Sequence, residues 1–253
     1  VVVTGNRGTE QRTVTTSPSA SGLEAGAGGT VTATDVDLLV SGVKQGYAYG
    51  ILSGGQNSSV TIRGGVITEK SLSASWLPPP FGDGNTSNSA LRAIDKGAIA
   101  VTGDLIVDTD GFGARGAYAS EGGVIRLNNT RITTRGTSSP GLQIGKSRAV
   151  GTGPGVIVST GALNIATGTP SSPGIYIEGN GSRLDAAAAS SSTMVSSAGS
   201  ALVYGGSRTA TDQDTVATVA LRRASLATTT STAHLIHVGG RVKEGSSLHL
   251  VDR

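Results

Sequence analysis

Chemistry at a protein site needs ionisable or nucleophilic side chains that converge, and this sequence offers few candidates. Its three histidines, His234, His237 and His249, raise the question of a metal. In a strand, residues three apart point to opposite faces, and no Cys or carboxylate completes a ligand set, so ordinary surface histidines are expected and no metal. Asp104, Asp108 and Asp110 resemble a calcium loop only loosely, without the regular positions of an EF-hand or a nonapeptide repeat. Serine chemistry requires a Ser, a His and an acid brought together, and no convincing Gly-x-Ser-x-Gly elbow is present. Asp212 and Asp214 would share one side of an extended segment, as polysaccharide chemistry could use. Their surroundings of Thr, Asp and Gln read as a solvated loop. The sequence therefore predicts no catalytic residue, no cofactor and no enzymatic activity.

Binding is a different matter. Trp76-Leu77-Pro78-Pro79-Pro80-Phe81 holds the only Trp and one of the two Phe residues. A Pro-rich segment favours extended polyproline II and loses little entropy when it binds, and Trp and Phe are frequent interface anchors. These six residues are the candidate partner-binding site. The alternative is that Trp76 and Phe81 fold back and cover the side of the molecule.

The elements that position this segment are read from repetition. Three motifs recur about eight times in one order. The first is an apolar-rich triplet anchored at Val14, Leu39, Ile67, Ile106, Ile132, Ile165, Val195 and Leu226. The second is a small residue followed by an apolar one: Gly22-Leu23, Gly50-Ile51, Ala90-Leu91, Gly116-Ala117, Gly141-Leu142, Gly174-Ile175, Ala201-Leu202 and, degenerately, His234-Leu235. The third is a short apolar strand beginning near Val31, Val60, Ile99, Ile125, Val156, Leu184, Val219 and Leu248. Periodicity of this length marks a solenoid. Each repeat holds three strand candidates rich in Val, Ile, Leu and Thr, separated by Gly, Ser, Asn and Pro. The Ala-rich run 186–189 is too short to stand as a helix. The fold class predicted is all-β, a parallel β-helix of about eight three-strand coils. With coils about 4.8 Å apart the rod would be roughly 35–40 Å long.

Connections within a coil differ. The corner from third strand to next first motif is nearly constant, and the other two tolerate loops. The path from first to second motif is short on most coils, as from Ile132 to Gly141. On one coil, from Ile67 to Ala90, it is more than twice as long. Residues 69–90 are thus a loop insertion within a single β-helix segment, 1–253. Loops on a rigid scaffold are where binding concentrates.

Composition agrees. Only 3% of residues are aromatic, as a narrow core of stacked aliphatic residues allows, and 39 glycines serve the corners. A disordered Gly/Ser/Thr stalk would scatter its apolar residues, whereas here they are ordered. There is no cysteine, which excludes a disulfide framework and thiolate chemistry. A net charge of +3 is too small to point to nucleic acid. Arg115, Arg126, Arg131, Arg135 and Arg148, with Lys146, could line one face and attract sulfated glycans; a mixed, solvated surface is the plainer reading. No apolar stretch approaches the length of a membrane-spanning helix. Both ends read as strand interior, so a trimmed or mature segment of a longer chain is expected.

The unit Ile132-Thr133-Thr134-Arg135-Gly136-Thr137-Ser138-Ser139-Pro140-Gly141-Leu142 is followed by the close copy Ile165-Ala166-Thr167-Gly168-Thr169-Pro170-Ser171-Ser172-Pro173-Gly174-Ile175. Between such units runs Ala117-Tyr118-Ala119-Ser120-Glu121-Gly122-Gly123-Val124-Ile125-Arg126-Leu127. This alternation resembles autotransporter passenger domains, especially the pertactin-like adhesins of Gram-negative bacteria, over nearly the whole chain. The resemblance implies a right-handed parallel β-helix that reaches the cell surface or is secreted by type V secretion. It would cross periplasm and outer membrane through a C-terminal β-barrel that this chain does not contain. The Gly-Asp-Ser motifs of protease- and lipase-type passengers are missing: Gly82-Asp83 and Gly103-Asp104 are followed by Gly84 and Leu105. Pertactin's Arg-Gly-Asp tripeptide is missing as well. The function expected is a non-enzymatic adhesin or host-factor-binding virulence module. Its partners would be host proteins or glycans, or sister passengers in self-association between cells. The alternatives are a carbohydrate-active β-helix lyase or hydrolase, and a passive stalk presenting another domain.

Overall fold

The computed structural model describes residues 12–15, 19–42, 47–71, 88–145, 153–205, 214–239 and 242–252. Their strands form three parallel sheets, each of eight strands in unbroken order along the stack. Sheet A runs from Arg12–Thr15 to Ala224–Thr228, sheet B from Ser19–Gly26 to Ile236–Val238, and sheet C from Thr30–Ala33 to Ser247–Val251. Each rung contributes one strand to A, B and C in turn. The third rung, for example, is Gly65–Ser71, Ser89–Ile94 and Ala98–Val101. This is a parallel β-helix of eight rungs, as the spacing of the motifs predicts. Among the described residues no helix is long and apolar enough to cross a membrane, which says nothing of a β-barrel.

The core is a set of vertical columns, because parallel in-register pairing stacks equivalent residues. In sheet C the inner column is Val31, Val60, Ile99, Ile125, Ile157, Leu184, Val219 and Leu248. It matches the third motif except on one rung, where Ile157 rather than Val156 points inward. In sheet B the column is Leu23, Ile51, Leu91, Ala117, Leu142, Ile175, Leu202 and Ile236. The last copy of the second motif is therefore Leu235-Ile236, one residue later than expected.

Sheet A corrects the expectation more. Its inner column is Leu38, Ile67, Val107, Ile132, Ile165, Val195 and Leu226, in register with Arg12 on the first rung. Leu39 and Ile106 do not belong to it. They pair with Thr68 and Arg131 on the outer face, and Ile106 is half exposed. Val14 pairs with Val40, two positions along. The physical reason is the period of two: a shift of one residue exchanges the faces of a strand. In Leu38-Leu39-Val40 and Leu105-Ile106-Val107 every residue is apolar, so the pattern alone does not fix which one faces inward.

The small residue of the second motif has a steric cause. A Cβ on Gly141 would lie 2.3 Å from Cγ2 of Ile165, on the next rung of sheet A, and one on Gly174 would lie 2.2 Å from Cγ1 of Val195. The branched first-motif residue fills the space a side chain would need. Two positions beyond the sheet A column, the core becomes polar. Val40, Glu69, Thr109, Thr134, Thr167, Ser197 and Thr228 stack there. The Thr109, Thr134 and Thr167 hydroxyls donate to the carbonyls of Ala114 (2.8 Å), Ser139 (2.7 Å) and Ser172 (2.7 Å). Each bond closes the A-to-B corner of its rung and satisfies a carbonyl that no ladder reaches.

Candidate functional site

The densest chemistry on the rod lies on the outer face of sheet B. Register places Leu52, Arg92, Tyr118, Gln143 and Tyr176 in one outward column on rungs two to six. Tyr49 and Arg115 stand beside it, toward the A-to-B corner. The Arg92 guanidinium is 5.0 Å from the Tyr49 ring centroid and 5.2 Å from that of Tyr118; Arg115 is 5.1 Å from Tyr118. Rungs about 4.8 Å apart bring neighbouring planar groups to cation–π distance without any further device. Arg115 Nε donates to Gln143 Oε1, and the Tyr176 hydroxyl donates to Glu178 Oε2 at 3.1 Å. Tyr118 is 3% exposed and Arg115 5%, low values for side chains outside the core.

Tyr49, Arg92 and Tyr176, the half-buried members of this array, can meet planar or hydroxylated groups by stacking and hydrogen bonding, over a buried layer of Arg115, Tyr118 and Gln143. The array is poorly suited to move protons, since guanidinium groups do not give them up. No motif marks it in the sequence, yet a signal is there: all five tyrosines lie on strands of sheet B, within Tyr47–Gly54, Arg115–Ala119, Ile175–Ile177 and Leu202–Tyr204. Tyr204 points inward. Burial pushes its hydroxyl up to about 12, and its one O–H lies within hydrogen-bond reach of the carbonyls of Ala217 and Ser247.

Trp76, Leu77, Pro78, Pro79, Pro80 and Phe81 lie outside the described residues. The strands on either side of that segment are Gly65–Ser71 and Ser89–Ile94, and the second carries Arg92 into the array. Where the chain returns to sheet B, Asn88 is buried; its Oδ1 accepts from Ala48 N at 2.9 Å and its carbonyl from Arg115 N at 3.1 Å.

A groove follows the B-to-C corner, open and of about 500 Å³, lined by Gln56, Asp95, Lys96, Glu121 and Pro154 with intervening glycines. Its walls are stacked tight turns closed by Gly97 N to Ile94 O (2.8 Å) and Gly123 N to Ser120 O (2.8 Å). Asp95, Lys96 and Glu121 all take positive φ (50°, 65° and 56°), as a type I′ turn requires. Carboxylate and ammonium groups alternate along it, so no charge class is selected.

The remaining candidates separate. Arg115 belongs to the sheet B array, Arg126 projects from sheet C and Arg131 from sheet A, and Arg135 is ion-paired with Asp108. They line no common face, because successive strands turn to different sides of the rod; Lys146 and Arg148 lie outside the described residues. Asp104 accepts from Asn129 Nδ2 at 2.9 Å, away from the partner of Asp108. Asp214 is 3.7 Å from Lys243; Asp83 and Asp212 lie outside the described residues. His234 and His237 do not point to opposite faces. Their rings stack with centroids 5.6 Å apart, because the strand begins only at Ile236 and the chain bends before it. Among the described residues no group of three or more His, Cys, Asp or Glu side chains is placed to hold a metal.

No protein family's profile matches the chain, and no solved structure matches it. Among characterised proteins it is similar to the BrkA autotransporter of Bordetella pertussis, with 28% identity over 211 residues, 70% of this chain and 20% of that protein. The chain thus spans about a fifth of the length of the curated relative it matches. Together, the stack of parallel rungs and this similarity fit an autotransporter passenger domain.

Proposed function

We propose that this segment acts at the bacterial surface, or after secretion, as a non-enzymatic binding module that contacts host proteins or glycans. The observation that carries the reading is the aromatic–arginine array on sheet B, next to the strands that bracket the Trp-Pro-Phe segment. Aromatic and Arg side chains are the residue types that dominate interface energetics, and a rigid sheet holds them with little entropy left to lose. Trp76–Phe81, on the chain between the Gly65–Ser71 and Ser89–Ile94 strands, adds residues of the anchor type. Delivery through a C-terminal β-barrel, as for other passengers, accounts for the location.

The test replaces residues 72–87 by a short Gly-Ser linker and measures adhesion of the purified rod to immobilised matrix glycoproteins and heparin. A loss of binding at unchanged melting temperature supports the reading. Unchanged binding, or turnover of a polysaccharide abolished by one point substitution, overturns it.

A further inference from the structure

The inner column of sheet A that carries the corner threonines contains one ionisable residue among neutral ones. Glu69 occupies the position taken by Thr109, Thr134 and Thr167 on rungs four to six. It is fully buried, and neither carboxyl oxygen has a hydrogen-bond partner among the described residues. We propose that Glu69 is a proton-operated latch of the third rung. With its proton it closes the A-to-B corner as the threonine hydroxyls do on other rungs, and without it the end of the Gly65–Ser71 strand loosens.

The pattern of the other rungs points to the acceptor. On rungs four to six the hydroxyl donates to the carbonyl two residues before the small residue of sheet B: Ala114 before Gly116, Ser139 before Gly141, Ser172 before Gly174. The equivalent on the third rung is Asn88, two before Ala90. Its carbonyl accepts from Arg115 N, and a carbonyl oxygen has two lone pairs. A protonated carboxyl has one O–H to donate there; a carboxylate accepts only and would set negative oxygen against negative oxygen.

Burial, and after it the Asp110 charge on the next rung, hold the Glu69 carboxyl well above the ordinary carboxylate range. The other ionisable groups on the strands packed against Gly65–Ser71 are Asp37, Tyr49, Arg92 and Asp108, with Lys70 on the strand itself. Asp37 and Lys70 are exposed, Lys70 is in register with Asp110, Arg92 and Tyr49 stack on each other, and Asp108 is paired with Arg135. No hydrogen bond joins any of them to the Glu69 carboxyl. The sign follows. Loosening the rung frees Glu69 to its ordinary acidity, so opening releases a proton. It becomes easier as pH rises from the ordinary carboxyl range to the raised folded value, and no easier beyond that.

The test is amide hydrogen exchange of the whole chain between pH 5 and 8, corrected for intrinsic exchange, together with the ¹³C shift of the Glu69 carboxyl. Protection of Gly65–Ser71 and Ser89–Ile94 should fall with rising pH, by up to about tenfold per pH unit between the ordinary carboxyl range and the raised folded value, while Ala162–Thr167 on the sixth rung stays level. Glu69→Gln keeps a donor and cannot titrate, so its third rung should stay protected throughout. The inference is overturned if wild-type protection of the third rung follows that of the sixth at every pH, if Glu69→Gln shows the wild-type slope, or if the carboxyl shift titrates in the ordinary range. Should Glu69→Gln fail to fold, the wild-type comparison and the carboxyl titration still decide.

Discussion

The fifth and sixth rungs and the third are built on one backbone and differ at a single corner. In the former pair Thr134 and Thr167 bond across to Ser139 and Ser172, and Gly141 and Gly174 yield space to Ile165 and Val195. In the third rung a buried Glu69 replaces the threonine, Ala90 replaces the glycine, and the connection to sheet B is more than twice as long. The regular rungs are near copies because each must pack on its neighbours. A single rung can depart from the pattern because a solenoid asks it to satisfy only the rung above and the rung below. Stability resides in the repeats, and unusual chemistry gathers where the repeat is broken.

The largest effect should come from attacking a regular rung at its centre. Ile165 is 3% exposed, between Ile132 and Val195. Ile165→Asp removes the aliphatic contacts and buries a charge without a partner, so a loss of about 4 kcal/mol or more is expected. Chemical denaturation monitored by circular dichroism measures it, and proteolysis should show damage first in rungs five to seven. Equal damage at all eight rungs would mean that the stack melts as one unit and that rungs cannot be compared singly.

Gly141→Ala should cost less, about 1–3 kcal/mol, the range for overfilling a packed core. Its Cβ would meet Ile165 Cγ2 at 2.3 Å and the Gly174 carbonyl at 2.7 Å. Ala90→Gly, at the same position of the third rung, should cost under about 1 kcal/mol, chiefly through added backbone freedom. Thermal melts of the two variants compare the corners directly; similar losses would show that the third rung is as tightly packed as the fifth.

The architecture was legible because periodicity survives local error. Three motifs in fixed order give the sheets, and most of the sheet B and sheet C columns follow residue by residue. The sheet A column failed where several apolar residues ran together, at Leu38–Val40 and Leu105–Val107, since only pairing decides which of them faces inward. The candidate site was less legible. Trp76–Phe81 stands out in the sequence because it interrupts the repeat. The Tyr49–Arg92–Tyr118 array does not, because its members sit on three successive rungs, far apart along the chain, and meet only through register. Glu69 was invisible for a related reason: in the sequence it stands at the start of the segment 69–90 read as an insertion, yet it ends a strand whose parity turns it inward.

Glu69→Thr puts the hydroxyl of the regular rungs at this position and should stabilise the chain at neutral pH by about 1–2 kcal/mol, the order of one buried polar group left without a partner. The gain must depend on pH. A carboxyl held above its ordinary range in the folded chain favours folding below the unfolded value and loses that contribution as pH rises through the folded one. The advantage of the threonine should therefore be small near pH 4 and grow toward pH 8. Urea denaturation at the two pH values gives the difference. A constant gain would assign the effect to packing and not to charge.

A small expected change in stability, and the most telling for function, is at Arg92. Its guanidinium stacks between the Tyr49 and Tyr118 rings on the outer face of sheet B, at 5.0 and 5.2 Å. Cation–π contacts at partly exposed sites contribute about 0.5–1 kcal/mol, and no core column loses a member, so Arg92→Ala should lower stability by about 1 kcal/mol. Arg92→Lys keeps the charge but not the planar group that stacks and donates in two directions. If the array is a contact surface, both variants should weaken adhesion to matrix glycoproteins by more than their folding loss explains, the alanine further than the lysine. If the array only braces the rod, adhesion per folded molecule will be unchanged in both, and the contact would then rest with Trp76–Phe81 alone.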